Sequence, residues 1–586
     1  MAERGQKSTA MLTWGLLLVL LTTSVGCPDR TTTKAPPVPV LSPFVFGSKK
    51  GKSDERISSP TTIPPIDFVE VAERIGLTYS YRNGEQGQSI MVETLGGGCG
   101  WLDYDRDGHW DLYLNQGGDP TKPANPSQPN DALFRNQGGN YVNTTEQSFL
   151  AEFGYGMGVA IGDLDNDGFD DVYITNVGGN TLWRNQGDGT FEEIGELAGV
   201  VDERWSTSAA WADLDLDGDL DLYVCNYLIY DPLNPLQCKT KAGELRICHP
   251  GDLDPWPDEC FMNQGDGTFT REARQRGLFG KGNKALGVAI ADFNNDGLPD
   301  IYVANDTTAN FLFLNQGDAQ FKEKAYFMGC AVDRNGTFQA SMGIGVDDLD
   351  NNGFLDIYLT HFVDESNTLY ENLGTHGFQD ITGISGLHGI TRSFLGFGVV
   401  ISDFNLDGRR DILVTNGHVE NYPGNPLHEM YPQLLAFNGR TWQDVRVSAG
   451  GFFGKKYVGR GMAWCDFDAD GDADVAIVHQ NQPTAILRND SQQPGHWLKF
   501  QFRGRLSNRR GIGCRVIVRS EGTEFLQELC GGTSYVSTSQ PALIFGLGDR
   551  GKPCEVEVVW PSGQRQILSN VDVDREIVLD EPNPDR

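Results

Sequence analysis

Seven nine-residue runs of the form D-x-D/N-x-D/N-G-x-x-D place oxygen-bearing side chains at alternate positions along this 586-residue chain. They begin at Asp103, Asp163, Asp213, Asp292, Asp348, Asp403 and Asp466 and end at Asp111, Asp171, Asp221, Asp300, Asp356, Asp411 and Asp474. Oxygens at positions 1, 3, 5 and 9, with a backbone carbonyl at position 7, suit a hard divalent cation, and glycine at position 6 permits the turn that wraps the chain round it. Calcium fits such a shell better than magnesium, which demands a stricter octahedron and retains its waters. The expected ligands are Asp103, Asp105, Asp107, His109 and Asp111; Asp163, Asp165, Asp167, Phe169 and Asp171; Asp213, Asp215, Asp217, Asp219 and Asp221; Asp292, Asn294, Asp296, Leu298 and Asp300; Asp348, Asp350, Asn352, Phe354 and Asp356; Asp403, Asn405, Asp407, Arg409 and Asp411; and Asp466, Asp468, Asp470, Asp472 and Asp474. About seven calcium ions are therefore expected. An EF-hand needs a bidentate Glu at position 12, where this chain has residues such as Leu114 and Ile174.

The elements around each run must be strands. Gly158-Val159-Ala160-Ile161 precedes the second run and Asp171-Val172-Tyr173-Ile174 follows it, short, β-branched and aromatic. A third strand ending in a Gly turn comes next (Leu182-Trp183-Arg184-Asn185-Gln186-Gly187), then a fourth that opens with an aromatic, as at Phe191, Phe269, Phe321, Phe378 and Trp442. Runs spaced 50 to 79 residues apart leave room for one such meander each. The expected fold is all-β: a seven-bladed propeller over 66–490, followed by a small β-sandwich or barrel over 491–586. The seventh copy lacks its aromatic strand, while Ile66-Asp67-Phe68-Val69-Glu70-Val71 stands unpaired before the first. The N-terminal strand is therefore expected to complete blade seven and close the ring, which removes open sheet edges.

A formal net charge of -33 excludes a nucleic-acid partner and a basic face for anionic lipid. Arg4 and Lys7 precede an apolar run from Met11 to Leu21, too short to span a bilayer and followed by Ser24-Val25-Gly26-Cys27. That tetrapeptide resembles a bacterial lipobox, which implies that residues 1–27 are a lipoprotein-type signal with Cys27 as the lipidated first residue of the mature chain; a plain secretory signal is the alternative. Residues 28–65, rich in Pro, Thr, Ser and Lys, read as a flexible tether, so membrane contact is expected through the anchor alone. In an exported chain the remaining cysteines are disulfide candidates. At least two of Cys238, Cys248 and Cys260 are expected to pair, and a hairpin turning at Gly522 would set Cys514 opposite Cys530.

The acidic runs resemble the FG-GAP or VCBS-type calcium repeats of integrin-like propellers over about residues 66–490. The tail, with His496-Trp497-Leu498, Ser507-Asn508-Arg509-Arg510-Gly511-Ile512-Gly513, Gly531-Gly532-Thr533-Ser534-Tyr535, Phe545-Gly546-Leu547-Gly548 and Trp560-Pro561-Ser562-Gly563, resembles the ASPIC/UnbV domain. The resemblance implies an extracellular calcium-binding protein with no established common reaction. Gly531-Gly532 and Pro561-Ser562-Gly563 are read as turns, with a ligand surface as the alternative.

Function then divides between classes. The first is a calcium-stabilised binding or scaffold protein of the cell envelope that recognises a protein or glycan; the insertion 229–259 either carries that binding or is a disulfide-stapled spacer. The second is a calcium-dependent polysaccharide lyase or hydrolase, for which His418 in Asn416-Gly417-His418 is the candidate base. The other histidines, among them His361 and His479, are scattered, and neither H-E-x-x-H nor G-x-S-x-G occurs. A purely structural envelope component is the third.

Overall fold

The computed structural model describes residues 62–122, 130–241, 243–422, 425–492 and 495–583. Cys27, the expected export signal and residues 28–61 of the expected tether lie outside the described residues. Among the described residues no helix is long and apolar enough to cross a membrane.

The repeats form seven four-stranded antiparallel sheets arranged as a propeller. Blade one contains Cys99–Leu102, Asp111–Leu114, Ala132–Asn136 and Tyr141–Asn143, and blade two Gly156–Gly162, Asp171–Asn176, Thr181–Asn185 and Phe191–Glu193. The last Asp of each acidic run is the first residue of its blade's second strand. It pairs with the last residue of the first strand: Leu102 with Asp111, Gly162 with Asp171, Ala212 with Asp221, Ala291 with Asp300, Asp347 with Asp356, Ser402 with Asp411 and Cys465 with Asp474. Every acidic loop is thus a strand-one to strand-two connection, and all seven emerge on one face of the ring. Blade seven consists of Gly459–Cys465, Asp474–His479, Ala485–Asn489 and the N-terminal strand Phe68–Glu70, with Phe68 opposite Asn489 and Glu70 opposite Leu487. Phe68 is buried and meets Phe404 edge-on, ring centroids 5.3 Å apart. Two residues assigned to the tether contact the propeller: Ile63 packs on the cluster around Phe68, and the Pro64 carbonyl accepts from Asn405 Nδ2 at 3.2 Å.

The C-terminal domain is a two-sheet sandwich. Leu543–Gly548, His496–Arg503 and Arg575–Asp580 form one sheet; Thr523–Glu528, Arg515–Ser520, Cys554–Val559 and Arg565–Val571 form the other. Leu498, Phe500, Val516, Val518, Phe545, Val556 and Trp560 fill the space between. The expected turn at 561–563 is present, closed by the Gly563 amide on the Trp560 carbonyl.

Residues 531–540 are not the simple turn expected of Gly531-Gly532. They leave the sandwich and thread the axis of the ring, bonding to the first strand of every blade. The Gly531 and Ser534 amides pair with Ile290 of blade four and Ile344 of blade five, and the Val536 carbonyl accepts from the Val159 amide of blade two. Thr538 bonds the Cys99 carbonyl and the Trp101 amide of blade one, and the Val536 amide donates to Ser208 Oγ of blade three. Ser534 Oγ takes the Val399 amide of blade six and donates to the Met462 carbonyl of blade seven. Glycines in the inner strands leave room for this strap: a Cβ on Gly98 would lie 2.2 Å from the Val536 carbonyl oxygen. At the far end Tyr535, fully buried, donates to the Leu95 carbonyl and packs on Phe397. The chain itself therefore occupies the axis, leaving a cavity of about 130 Å³ between the strap and inner-strand residues such as Trp101, Trp211 and Trp464.

Of the two cysteine expectations, the pairing within 238–260 is met and the Cys514–Cys530 pairing needs correction. Cys238 and Cys248 form a disulfide across a small hairpin of the blade-three insertion, whereas Cys260 lies buried and unbonded in the third strand of that blade. Cys514 and Cys530 are also free. The hairpin does turn at Glu521-Gly522, but its register sets Ser520 against Thr523 and Arg515 against Glu528. Cys514 consequently faces Leu529, one residue short of Cys530. Because side chains alternate between faces, one residue of offset sends Cys514 into the sandwich core and Cys530 towards the propeller.

Candidate metal centres

The seven loops share one backbone solution. Gly at position 6 has positive φ in all of them (Gly108, Gly168, Gly218, Gly297, Gly353, Gly408 and Gly471), where a side chain would be strained. Position 4 is also left-handed throughout, although it holds Arg106, Asn166, Leu216, Asn295, Asn351, Leu406 and Ala469. Two left-handed residues two apart coil the run so that the alternating carboxylates face inward. In loops one to six the position-1 carboxylate accepts the position-6 amide, as Asp163 does from Gly168 at 2.8 Å and Asp403 from Gly408 at 2.7 Å. The position-5 side chain accepts the position-7 amide, as Asp167 does from Phe169 and Asn352 from Phe354, both at 2.8 Å. Side chains at position 7 differ in what they touch. Asp219 accepts from Asn166 of the neighbouring loop, and Arg409 turns back to Asp407.

Position 9 is the most buried. Each of these aspartates accepts the position-2 amide through Oδ2, as Asp171 does from Leu164 at 2.9 Å. In every blade but the sixth, Oδ1 accepts the amide of an asparagine that ends the third strand, as Asp171 does from Asn185 at 2.8 Å. Five loops bring ligand atoms of three carboxylates within 4.8 Å of one another: Asp103, Asp105 and Asp107; Asp163, Asp165 and Asp171; Asp213, Asp215 and Asp221; Asp348, Asp350 and Asp356; and Asp466, Asp468 and Asp474. Loops four and six carry Asn294 and Asn405 at position 3, where the clustered loops have a carboxylate; loop five has its Asn352 at position 5 instead.

Burial, then the neighbouring carboxylates, pushes these acids upward: Asp103 to about 6, Asp163 and Asp348 to about 7, Asp111 to about 8 and Asp472 to about 9. Asp171, Asp221, Asp300, Asp356, Asp411 and Asp474 are driven well above the usual carboxylate range for the same reasons. Desolvated like charges at this spacing are unfavourable unless a cation or protons neutralise them. The residues fit a hard divalent cation by a second test. Asp103 Oδ1, Asp163 Oδ1, Asp215 Oδ1 and Asp472 Oδ1 are buried and take no hydrogen bond. A bound cation would supply the missing partner, held by the carboxylates and amide oxygens of its own loop.

The third-strand asparagines are the residues that reading the loops alone missed. Asn136, Asn185, Asn263, Asn315, Asn372 and Asn489 occupy the place, and Phe437 replaces them in blade six. Asn185 Nδ2 donates to the Tyr104 carbonyl in the loop of blade one at 2.8 Å and to the Asp170 carbonyl in its own loop, while Oδ1 accepts the Gly187 amide. Asn263, Asn315, Asn372 and Asn489 reach back to Leu164, Leu214, Phe293 and Phe404 in the same way. These five asparagines therefore clasp their own loop and the loop of the preceding blade, whereas Asn136 Nδ2 donates to Tyr141 Oη. The signal was present as the recurring Asn before the third-strand turn. Asn185→Ala should cost about 2–3 kcal/mol by leaving these buried groups unpaired; denaturant unfolding of the metal-loaded chain measures it, and a loss below about 0.5 kcal/mol would contradict the clasp.

The candidate base His418 lies on the opposite face. Its Nδ1 accepts the Glu420 amide, Phe362 packs on its ring, and burial lowers its pKa to about 4. Beside it the buried Arg460 donates to the Thr94, Gly417 and Gly459 carbonyls and lies 4.0 Å over Phe397. His361 and His479 are buried in blades five and seven.

Loops of this geometry on a closed ring, with a sandwich whose strap occupies the axis, define the class: a β-propeller of FG-GAP-like repeats joined to an ASPIC and UnbV domain. The FG-GAP-like repeat model matches residues 103–174, 163–224, 251–303, 292–359 and 348–414, and the ASPIC and UnbV model matches 504–586. Loop seven lies beyond the matched repeats yet has the same turn. The chain is homologous to cartilage acidic protein 1. It is 24% identical to the Homo sapiens protein over 435 residues, covering 70% of this chain and 60% of that one. It is 23% identical to the Xenopus tropicalis protein, covering 70% and 62%. The chain thus spans about 60% of the length of the curated relatives it matches. A similar solved structure is an Agrocybe aegerita lectin described as recognising non-reducing terminal N-acetylglucosamine, at 16% identity and a TM-score of 0.38, covering 66% of this chain and 86% of that one.

Proposed function

We propose that this chain is an exported, calcium-loaded propeller that serves as a binding or scaffold protein of the cell envelope, with a protein or glycan as ligand and Cys27 as its lipid anchor. The observation that carries the reading is the set of buried loop carboxylate oxygens without hydrogen-bond partners, which a resident calcium ion would complete. The strap supports it from another direction. With the axis occupied by residues 531–540, recognition falls to the exposed surface. The blade-three insertion joins strands two and three, so it projects from the face opposite the loops, and Leu233 and Leu236 on it are exposed. Its disulfide supports export, because such bonds persist in oxidising compartments.

The test is a protein and glycan array probed with the full chain in calcium and in chelator. Calcium-dependent retention that Leu233→Asp and Leu236→Asp abolish is the expected result. Retention indifferent to both substitutions would remove the insertion from the proposal, and turnover of a polysaccharide would replace binding with catalysis.

The loops should differ in affinity. Loop three carries aspartate at positions 1, 3, 5, 7 and 9. Loops four, five and six each carry three carboxylates at the four side-chain ligand positions, and in loops four and six Arg515 lies 3.5 Å from Asp292 and Arg409 3.1 Å from Asp407. After dialysis against a weak chelator, Asp213→Ala should hold one calcium ion fewer than the parent, and Asp403→Ala the same number. Equal losses in both variants would show that charge does not rank the loops.

A further inference from the structure

The C-terminal domain sits on the loop face, and its contacts fall on the loops themselves. Lys499 Nζ, buried, lies 2.7 Å from Asp466 Oδ2 at position 1 of loop seven, and Gln540 Oε1 accepts the Asp466 amide at 2.9 Å. In loop four the Asp292 amide donates to Glu528 Oε1 at 2.9 Å. Arg515 Nη1 is 3.5 Å from Asp292 Oδ2, and its Nη2 donates to the Gly353 carbonyl of loop five at 3.0 Å. Arg510 makes two 2.6 Å bonds to Asp170 of loop two, and the Gly548 amide donates to the Leu406 carbonyl of loop six at 3.0 Å. Loop seven is held differently from the rest: Lys499 takes the position-1 oxygen that the position-6 amide takes in the other six. A Cβ on Gly471 of that loop would lie 2.2 Å from the Trp497 ring of the C-terminal domain.

From these contacts we propose that seating of the strap in the channel and cation occupancy of the loops are one linked equilibrium, in which the C-terminal domain docks on loops that calcium has shaped. The inference rests on the calcium reading above. Its logic is geometric. Position 1 supplies a metal-facing carboxylate and, through its amide and second oxygen, a docking point for Gln540 and Lys499 in loop seven and for Glu528 and Arg515 in loop four. Without a divalent ion, repulsion within the loop moves that residue, and the docking points move with it. Reciprocity follows: whatever loosens the docked domain weakens calcium binding by the same factor.

The experiment uses the full chain. Calcium affinity is measured by calorimetry, and amide exchange of residues 531–540 is followed in calcium and after chelation. The strap amides should exchange at least about tenfold faster after chelation. Tyr535→Ala, which loosens the strap far from the loops, should weaken calcium affinity by roughly tenfold. Should that variant fail to fold, the exchange comparison on the parent chain still decides. Calcium binding with strap exchange unchanged overturns the linkage and leaves the calcium reading standing. Absence of calcium binding overturns both.

Discussion

Chelation of the purified chain is expected to lower its melting temperature by on the order of 15–20 °C, since each of about seven sites contributes roughly 3–4 kcal/mol when calcium exceeds its dissociation constant a hundred- to a thousandfold. The pH dependence should reverse between the two forms. Without metal, Asp103, Asp163, Asp348, Asp111 and Asp472 hold protons up to about 6, 7, 7, 8 and 9, whereas in the unfolded chain they ionise near 3.8. The folded state therefore binds more protons than the unfolded state between these limits, and it gains stability as pH falls through 9 to 6. The metal-free chain should melt higher at pH 6 than at pH 8. With calcium present protons compete for the same oxygens, so the loaded chain should melt lower at pH 6. Melting curves at two pH values, with and without chelator, check all four corners. Coincident curves would mean that the acidic loops are turns that need no ion.

Deleting 66–71 should break the ring as a cooperative unit. Phe68 alone fills a site between Phe404 and Phe453, so Phe68→Ala should cost about 3–5 kcal/mol. Loss of the whole strand also removes its pairing with Ala485–Asn489 and leaves that strand as an open edge. The expected result is a second, lower unfolding transition and concentration-dependent aggregation, read by calorimetry and light scattering. A single transition at the parent temperature would place the closure elsewhere.

Much of the ring was legible because its repeat carries its own instructions. Asp and Gly at fixed offsets specify the loop, β-branched pairs specify the strands, and a strand missing from one end matched a strand left over at the other. The strap was not legible. Gly531-Gly532-Thr533-Ser534-Tyr535 has the composition of a turn, and its partners, from Cys99 to Met462, are scattered over seven blades with no periodic signature. The cysteines show a different limit. Cys514 and Cys530 were correctly placed on one hairpin, but pairing depends on a turn of two residues rather than one, which reverses the face of every side chain. The asparagine clasp was visible as a recurring letter, yet its reach into the preceding blade depends on the angle between blades, which a linear repeat does not encode.

The order of synthesis gives blade seven a further meaning. Phe68–Glu70 leaves the ribosome before any blade exists, and its partner Ala485–Asn489 follows more than four hundred residues later. During that interval the nascent chain carries an orphan strand at one end and an uncapped edge on the newest blade, both prone to pairing with neighbouring chains. Residues 531–540 emerge later still, and their contacts exist only once all seven first strands are in place. Closure at the seam is therefore expected to precede insertion of the axle, and yield in a host cell should respond to holdase capacity more than to translation rate.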